Sequence, residues 1–135
     1  MPVIDASILA SYLVRDEFFE EAKEILYSEN ISAPDLIIPE TANVVWKHVY
    51  LYHRISEKEA IELMNNMKVL IENMEIISSI KIINEALKVA VKAGITIYDS
   101  IYLTLAINKN EKLKTFDEKL KNKIKKSIYK KYIDE

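Results

Sequence analysis

The sequence predicts an α/β fold, a three-layer sandwich with a mostly parallel central sheet of four to five strands. Short apolar segments typical of buried strands alternate along the chain with longer segments whose apolar residues recur at helical spacing. Prolines and helix-capping residues separate the two kinds of segment. Strands that alternate with helices usually pair in parallel, because each helix returns the chain to the same end of the sheet.

The composition is that of one globular domain, which we expect to span residues 1–135. Half of the residues are hydrophobic and 30% are charged, which is too much apolar surface for a disordered chain. The chain has no cysteine, two histidines and one glycine. These counts exclude disulfides, thiolate metal sites, histidine-rich metal cages and glycine-rich phosphate loops. Neither a membrane-spanning run nor a signal-peptide pattern is present, so we expect a cytoplasmic protein with no membrane partner.

The first half of the chain begins with a short predicted strand at Val3-Ile4. Ser7 is a candidate cap for the helical pattern that follows, and we expect that pattern to break near Arg15-Asp16. Residues 30–34 predict a second extended segment. Two prolines leave the start of the next helix open, but the pattern is helical over residues 40–52.

The middle of the chain carries clear start and stop signals. The segment Ser56-Glu57-Lys58-Glu59 is a capping box and predicts a helix over residues 56–72. Residues 75–78 predict a third strand. A further helix over residues 81–93 is expected to end at Gly94, which adopts left-handed backbone angles without strain.

The last part of the chain repeats this arrangement. Thr96-Ile97-Tyr98-Asp99 is a second capping-box pattern, with Asp in place of Glu, and opens a helix that runs to about Asn108. Residues 112–116 alternate like a fourth strand. Asp117 then stands as the N-cap of a basic terminal helix.

Four acidic residues stand directly after predicted strands or in the first turns of predicted helices. They are Asp5, Glu40, Asp99 and Asp117. Each has a local explanation as a helix cap or as a partner of a helix dipole. In parallel α/β sheets, however, ligands bind beyond the carboxyl ends of the strands, and there the four would share one cleft. Carboxylates that share a cleft repel one another, and a divalent cation removes that repulsion.

The available ligands favour Mg²⁺ or Mn²⁺, because the acids offer only oxygen. Zinc is less suited without cysteine or clustered histidine, and no calcium-binding loop is present. A magnesium ion held by carboxylates lowers the pKa of a bound water and stabilises charge on a phosphoryl oxygen. The acids therefore predict phosphodiester hydrolysis without a histidine or a serine nucleophile.

Charge is distributed unevenly along the chain. Residues 1–111 carry ten basic against 17 acidic residues, whereas residues 112–135 carry nine lysines against four acids. The basic end is open to two interpretations: a solvated helix face, or a surface that holds a nucleic-acid backbone.

The motifs around the four acids, in their order along the chain, resemble those of the PIN domain family. The segments that carry the resemblance are Val3-Ile4-Asp5-Ala6-Ser7, Pro34-Asp35-Leu36 with Glu40-Thr41-Ala42-Asn43-Val44-Val45-Trp46, Tyr98-Asp99-Ser100-Ile101-Tyr102-Leu103-Thr104-Leu105-Ala106, and Leu113-Lys114-Thr115-Phe116-Asp117-Glu118-Lys119-Leu120. The small size is similar to that of VapC-type toxins, the ribonuclease components of toxin–antitoxin pairs. The chain departs from the family pattern at Ser100, where alanine is usual, and it keeps all four acids.

The resemblance implies an Mg²⁺- or Mn²⁺-dependent endoribonuclease in which an activated water hydrolyses RNA and leaves 5′-phosphate and 3′-hydroxyl ends. It implies a catalytic and metal-binding site made of Asp5, Glu40, Asp99 and Asp117. Three polar neighbours are expected to orient these acids: Ser7, Asn43 and Thr115. The family also implies a homodimer and a VapB-like antitoxin protein that blocks the cleft.

Several other residues are open to two interpretations. His48 and His53 are surface or half-buried side chains, or else proton shuttles. Trp46 and Tyr50 are spaced as neighbours on a helix face, which favours packing over stacking on an RNA base. The remaining tyrosines of interest are expected in the core, or else at the cleft or a dimer contact: Tyr12, Tyr98 and Tyr102.

Two other functions are compatible with this kind of fold. One is a catalytically silent PIN-fold module that binds RNA or a protein, although the four retained acids count against it. The other is a receiver-like signalling domain, which requires a phosphoacceptor Asp after a middle strand. The third predicted strand ends in Ser78-Ser79 instead.

Overall fold

The computed structural model describes residues 1–28 and 30–134, and over these residues it contains four strands and seven α-helices. The strands are β1 (Val3–Ile4), β2 (Ser32–Pro34), β3 (Glu75–Ile77) and β4 (Leu113–Lys114). The helices are α1 (Ala6–Val14), α2 (Phe19–Ser28), α3 (Ile37–Tyr50), α4 (Glu57–Glu72), α5 (Ile83–Ala93), α6 (Ile97–Lys109) and α7 (Glu118–Lys125). Two short 3₁₀ turns occupy Ser79–Lys81 and Lys130–Tyr132.

The four strands form one sheet in the order β3-β2-β1-β4, and every neighbouring pair is parallel. Val3 of β1 is in register with Ser32 on one side and with Leu113 on the other. An isolated parallel bridge from Leu113 to Ile133 ties the C-terminal segment to the sheet edge. The predicted α/β class and the parallel sheet are confirmed.

Helices cover both faces of this short sheet. Helices α1 to α4 contact one another as one group, whereas α5 pairs with α6. Helix α6 packs along β1, β2 and β4 and is buried through most of its length. The core between these layers is aliphatic, and its largest fully buried apolar side chains include Ile4, Ile8, Leu9, Ile37, Leu103 and Leu113.

The helix boundaries in the first half follow the predicted punctuation, with one correction. The expected break lies at Arg15, whose φ of 55° is left-handed and ends α1. Asp5, and not Ser7, is the N-cap of α1, because its carboxylate accepts the backbone N–H of Ser7. The open question about the next helix is also settled, because α3 begins at Ile37 and contains Pro39 in its first turn, where a proline costs no backbone hydrogen bond.

The signals in the second half are confirmed locally. The capping box at Ser56 and Glu59 is present with both of its hydrogen bonds. Gly94 ends α5 with a φ of 67°. Thr96 caps α6 by accepting the backbone N–H of Asp99, which is one of the two hydrogen bonds of the predicted capping box. Asp117 caps α7.

Over residues 1–28 and 30–134, no single helix is long and apolar enough to cross a membrane. Helices α5 and α6 meet the length and composition requirement only as a pair, and that pair is bent by 108°.

Candidate functional site

The candidate site lies where the order of strands reverses. The chain moves from β1 to β2 and β3 on one side of the sheet and then returns to place β4 on the other side of β1. Such a switch point leaves a crevice beyond the carboxyl ends of the two strands, because their connections run in opposite directions. Asp5 follows β1 and Asp117 follows β4, so two of the predicted acids stand at the crevice.

A cavity of about 440 Å³ occupies this crevice. All four predicted acids lie on its wall: Asp5, Glu40, Asp99 and Asp117. The other lining residues are Ala6, Ser7, Leu36, Pro39, Asn43, Val44, Lys47, Tyr98 and Tyr102. The structure thus brings together acids that are separated by up to 112 residues of sequence, from three helix starts and one strand end.

Asp5 is the most deeply buried of the four acids, with 6% of its surface exposed. Its Oδ1 accepts the backbone N–H of Ser7 at 3.0 Å and the Ser7 hydroxyl at 2.5 Å. Burial raises the pKa of Asp5 to about 6, and the charge of Asp99 adds to this rise, whereas the hydroxyls of Ser7 and Thr115 oppose it. The residue is therefore held in a fixed orientation in a place that disfavours its charge.

Two of the three predicted supporting residues join the β1 end to the β4 end. The Ser7 hydroxyl lies 3.4 Å from the Thr115 hydroxyl and accepts the backbone N–H of Phe116 at 2.9 Å. The Thr115 hydroxyl accepts the backbone N–H of Asp117 at 3.0 Å. Ser7 and Thr115 therefore fix the distance between the two loops that carry Asp5 and Asp117. The third, Asn43, is exposed on α3 and lines the cavity.

Glu40 reaches the cavity from the first turn of α3. Its Oε1 accepts a hydrogen bond of 2.5 Å from the phenol of Tyr102, which is almost fully buried in α6. Burial raises the pKa of Glu40, the Tyr102 hydrogen bond lowers it, and the charge of Asp99 raises it again. Burial and the Glu40 contact also raise the pKa of Tyr102, so the phenol stays protonated and acts as a donor.

Asp99 is the electrostatic centre of the group. It lies in the first turn of α6, and its pKa is raised by burial and then by the charge of Asp117. Thr96 and the positive charge of Lys123 lower it. The charge of Asp99 also raises the pKa of Asp5 and of Glu40. Asp99 therefore repels both of these carboxylates.

Asp117 is exposed at the rim of the cavity. Its Oδ1 accepts the backbone N–H of Leu120 at 3.1 Å in the first turn of α7. Asp117 thus caps a helix and lines the cavity with the same side chain. The same holds for Asp5, so the two interpretations offered by the sequence do not compete.

The donor set suits a hard divalent cation by its chemistry. The four acids provide only carboxylate oxygens, which Mg²⁺ and Mn²⁺ prefer, and a cation relieves the repulsion that raises the pKa of Asp5, Glu40 and Asp99. In the described part of the chain, no three acidic or histidine side chains are close enough to hold a metal ion together. The four acids are thus distributed around the cavity wall.

One charged cavity residue was not predicted as part of the site. Lys47 lies seven residues after Glu40 on α3, and this helical spacing is a signal that sequence reasoning missed. Tyr102 was expected in the core, or else at the cleft or a dimer contact. Its ring is buried, and its hydroxyl reaches Glu40 on the cavity wall. Tyr98 also lines the cavity, whereas Tyr12 contacts Tyr27 on another surface.

Two expectations about α3 and the loop after it need correction. His48 was expected at the surface or half-buried, but it is buried and meets Tyr52 edge-on. His53 is exposed with a left-handed φ of 51°, and neither histidine lines the cavity. Trp46 and Tyr50 were expected to pack, and they do stack on each other, but both remain exposed.

Comparison with known proteins gives one consistent family. The family model described as "PIN domain" matches residues 3–126. Ribonuclease VapC3 of Pyrobaculum aerophilum is 30% identical over 122 residues, which cover 90% of this chain and 92% of that protein.

Two solved structures have the same fold. The crystal structure of PAE2754 from Pyrobaculum aerophilum has a TM-score of 0.71 at 26% identity and covers 98% of this chain and 82% of that chain. The crystal structure of VapC20 from Mycobacterium tuberculosis, a toxin that cleaves the sarcin–ricin loop, has a TM-score of 0.68 at 13% identity. It covers 96% of this chain and 98% of that one, and at this identity the likeness concerns the fold alone.

Proposed function

Because this chain belongs to the PIN domain family, we propose that it is a metal-dependent endoribonuclease, the toxin of a VapBC-type toxin–antitoxin pair. The proposed unit is a single PIN-like domain over residues 1–135 that forms a homodimer in the cytoplasm. Its partners are an RNA substrate and a VapB-like antitoxin that blocks the cavity. Ribonuclease VapC3, which is 30% identical, supports the choice of RNA as the substrate.

The observation that carries the proposal is the meeting of four carboxylates in one cavity. Three of them have a raised pKa, with burial as the first cause and mutual repulsion as a further one. Helix capping accounts for Asp5 and Asp117 one by one, but it does not account for the meeting of four carboxylates whose charges repel. Clusters of this kind are typical of functional sites.

The carboxylates of Asp5, Glu40, Asp99 and Asp117 would hold Mg²⁺ or Mn²⁺. When bound, such an ion lowers the pKa of a coordinated water and stabilises the charge that develops on a phosphoryl oxygen and on the departing alkoxide. Hydrolysis by in-line attack then leaves a 5′-phosphate and a 3′-hydroxyl end.

The residues of the chain position the groups for this reaction. Ser7 fixes the orientation of Asp5, and Tyr102 fixes that of Glu40. Asp117 is exposed and lines the cavity, and its proposed role is to orient the attacking water or to bind a second ion. Lys47 is the one cation on the described cavity wall, and its ammonium is suited to a phosphate oxygen of the substrate.

The test is a paired cleavage assay. Wild type and Asp99→Asn are incubated with total RNA and a panel of tRNAs in Mn²⁺ or Mg²⁺, with and without EDTA. We expect discrete cuts with 5′-phosphate ends that disappear with EDTA and with the substitution. Glu62→Gln, at an exposed position of α4 outside the cavity, is the matched control and is expected to cut like wild type.

The outcome separates the nuclease from its main alternative. Folded wild-type protein that binds Mn²⁺ and RNA but cuts none of the tested RNAs would favour a catalytically silent PIN-fold binding module. Cuts that persist in Asp99→Asn would place the chemistry elsewhere and contradict the proposed site.

A further inference from the structure

Trp46 and Tyr50 form a flat aromatic surface on the outside of α3. The two rings stack with their centroids 5.3 Å apart and their planes within 10° of parallel. Yet Trp46 is 49% exposed and Tyr50 is 65% exposed. Mutual stacking holds the rings in one orientation and leaves outer ring faces in water, where apolar area is unfavourable. We call these two residues the aromatic platform.

The aromatic platform lies on the same helix as two residues of the cavity wall, Asn43 and Lys47. Tyr50 lies two helical turns beyond Asn43 and one turn beyond Trp46 and Lys47, at spacings of seven, four and three residues. Trp46 is six residues after Glu40, which is about 9 Å along a helix axis. One extended strand can therefore reach the acids and the platform together.

The charge of this segment differs from that of the surrounding chain. Residues 1–111 are acidic overall, but residues 41–56 contain no acid and include Lys47 and Arg54. Arg54 lies over the ring of Tyr52, 5.4 Å from its centroid. A segment that combines exposed aromatic rings with two cations and has no acid of its own is complementary to a polyanion that carries flat bases.

On the basis of the nuclease function proposed above, we infer that the aromatic platform binds unpaired bases of the RNA substrate by stacking, while Lys47 and Arg54 contact its phosphates. The occupant is single-stranded RNA, because paired bases expose no face to an aromatic ring. A second copy of the chain fits less well, because lysine is depleted at the core of protein interfaces and Lys47 lies between the two rings in sequence.

The test uses Trp46 as its own reporter, since it is the single tryptophan of the chain. Fluorescein-labelled 12-nucleotide single-stranded RNA, or the same sequence as a duplex, is added in EDTA so that no cleavage occurs. The anisotropy of the fluorescein label reports binding. Stacking is measured separately with unlabelled RNA, from the change in tryptophan emission. We expect saturable quenching by the single strand and much weaker quenching by the duplex.

Substitutions then test whether the aromatic rings themselves bind the RNA. Trp46→Ala and Tyr50→Ala are expected to weaken single-strand binding on the order of tenfold, and Trp46→Phe to recover most of it. In cleavage assays with Mn²⁺, Trp46→Ala should raise KM and leave kcat nearly unchanged. Tyr27→Ala, which removes an exposed aromatic outside the cavity, is the matched control and is expected to have no effect.

Failure of this inference is distinguishable from failure of the nuclease proposal. If wild type cuts RNA but emission is unchanged on binding and Trp46→Ala binds as tightly, the inference is overturned and the nuclease stands. If Trp46→Ala halves the mass measured by light scattering without loss of RNA affinity, the surface is a self-association site and the inference is again overturned. If wild type neither binds nor cuts any RNA, both fall.

Discussion

Tyr102 donates its phenol hydrogen to Oε1 of Glu40, 62 residues away in the sequence, across a distance of 2.5 Å. The contact joins two helices that pack in different groups, because Glu40 lies on α3, which contacts α1 and α4, and Tyr102 lies on α6, which contacts α5. The tyrosine ring is buried in the core while its hydroxyl reaches the cavity. One residue thus links the packing of α6 to the position of a carboxylate.

The substitution Tyr102→Phe should weaken metal binding more than it weakens the fold. The lost hydrogen bond is to a half-buried carboxylate, so we expect a stability loss of about 1 kcal/mol in urea unfolding. Because that bond lowers the pKa of Glu40, its loss should raise this pKa further. The pH midpoint of Mn²⁺ binding, measured by calorimetry, should then move upward.

Tyr98→Phe is the control for this prediction, because Tyr98 lines the same cavity but is exposed. It should leave the pH midpoint unchanged. An equal shift in both variants would show that the cavity responds to any lost hydroxyl and that the contact with Glu40 has no special role.

The substitution Asp5→Asn should stabilise the metal-free protein at neutral pH. The pKa of Asp5 is raised from 3.8 to about 6 in the folded state, so folding favours the protonated form. The contribution of Asp5 to stability is complete below about pH 4 and is lost as pH rises through 6. Asparagine has no charge, so the variant does not lose this stability as pH rises. The rise in the pKa of Asp5 from 3.8 to about 6 sets an upper bound of about 3 kcal/mol on the stability gained.

Urea unfolding of wild type and Asp5→Asn in EDTA at pH 4 and pH 8 measures this difference. The variant should be more stable by about 1 to 3 kcal/mol at pH 8 and nearly equal at pH 4. The amide oxygen of asparagine still accepts the Ser7 backbone N–H, so the helix cap is kept. A gap of the same size at both pH values would contradict the assigned pKa.

The substitution Gly94→Ala isolates a backbone effect. Gly94 ends α5 with a φ of 67°, and a Cβ built there meets no atom within 4 Å. The cost is therefore conformational strain alone, about 1 kcal/mol by chemical denaturation. Lys92→Ala, at an exposed position of α5, should be nearly neutral. A loss of several kcal/mol in Gly94→Ala would mean that the space is not open.

Local signals in the sequence predicted much of the fold. Capping at Ser56, the stop at Gly94 and the cap at Asp117 depend on residues within one helical turn, and each is found as expected. The α/β class followed from the alternation of segments. The order of the strands did not, because alternation fixes the direction of a strand and not its neighbours. The switch point between β1 and β4 emerges only in three dimensions.

The residues of the candidate site were predictable to the same extent as the fold. Position after a strand or at a helix start singled out the four acids, which the structure brings to one cavity. The link from Tyr102 to Glu40 was not predictable, since it depends on how two distant helices cross the sheet. Burial of His48 and exposure of Trp46 were also missed, because on one helix the sequence does not show which neighbours cover which face.

The last prediction concerns repulsion among the acids and its relief by a metal. The charge of Asp99 raises the pKa of Asp5 and of Glu40, and that of Asp117 raises the pKa of Asp99. Asp99→Asn should therefore raise the melting temperature in EDTA, where no bound cation offsets the repulsion. Mn²⁺ should stabilise wild type, by about 2.7 kcal/mol at a concentration 100 times its Kd, and stabilise Asp99→Asn much less.

This prediction is tested by thermal melts over a Mn²⁺ titration. A parallel series in NaCl at matched ionic strength measures the effect of screening alone. The two curves should cross, because the variant is the more stable protein without the ion and the less stable one with it. Glu62→Gln should follow wild type throughout. Parallel curves for wild type and Asp99→Asn would mean that Mn²⁺ binds elsewhere. Equal effects of NaCl and Mn²⁺ would mean that the acids are relieved by screening alone, without a bound ion.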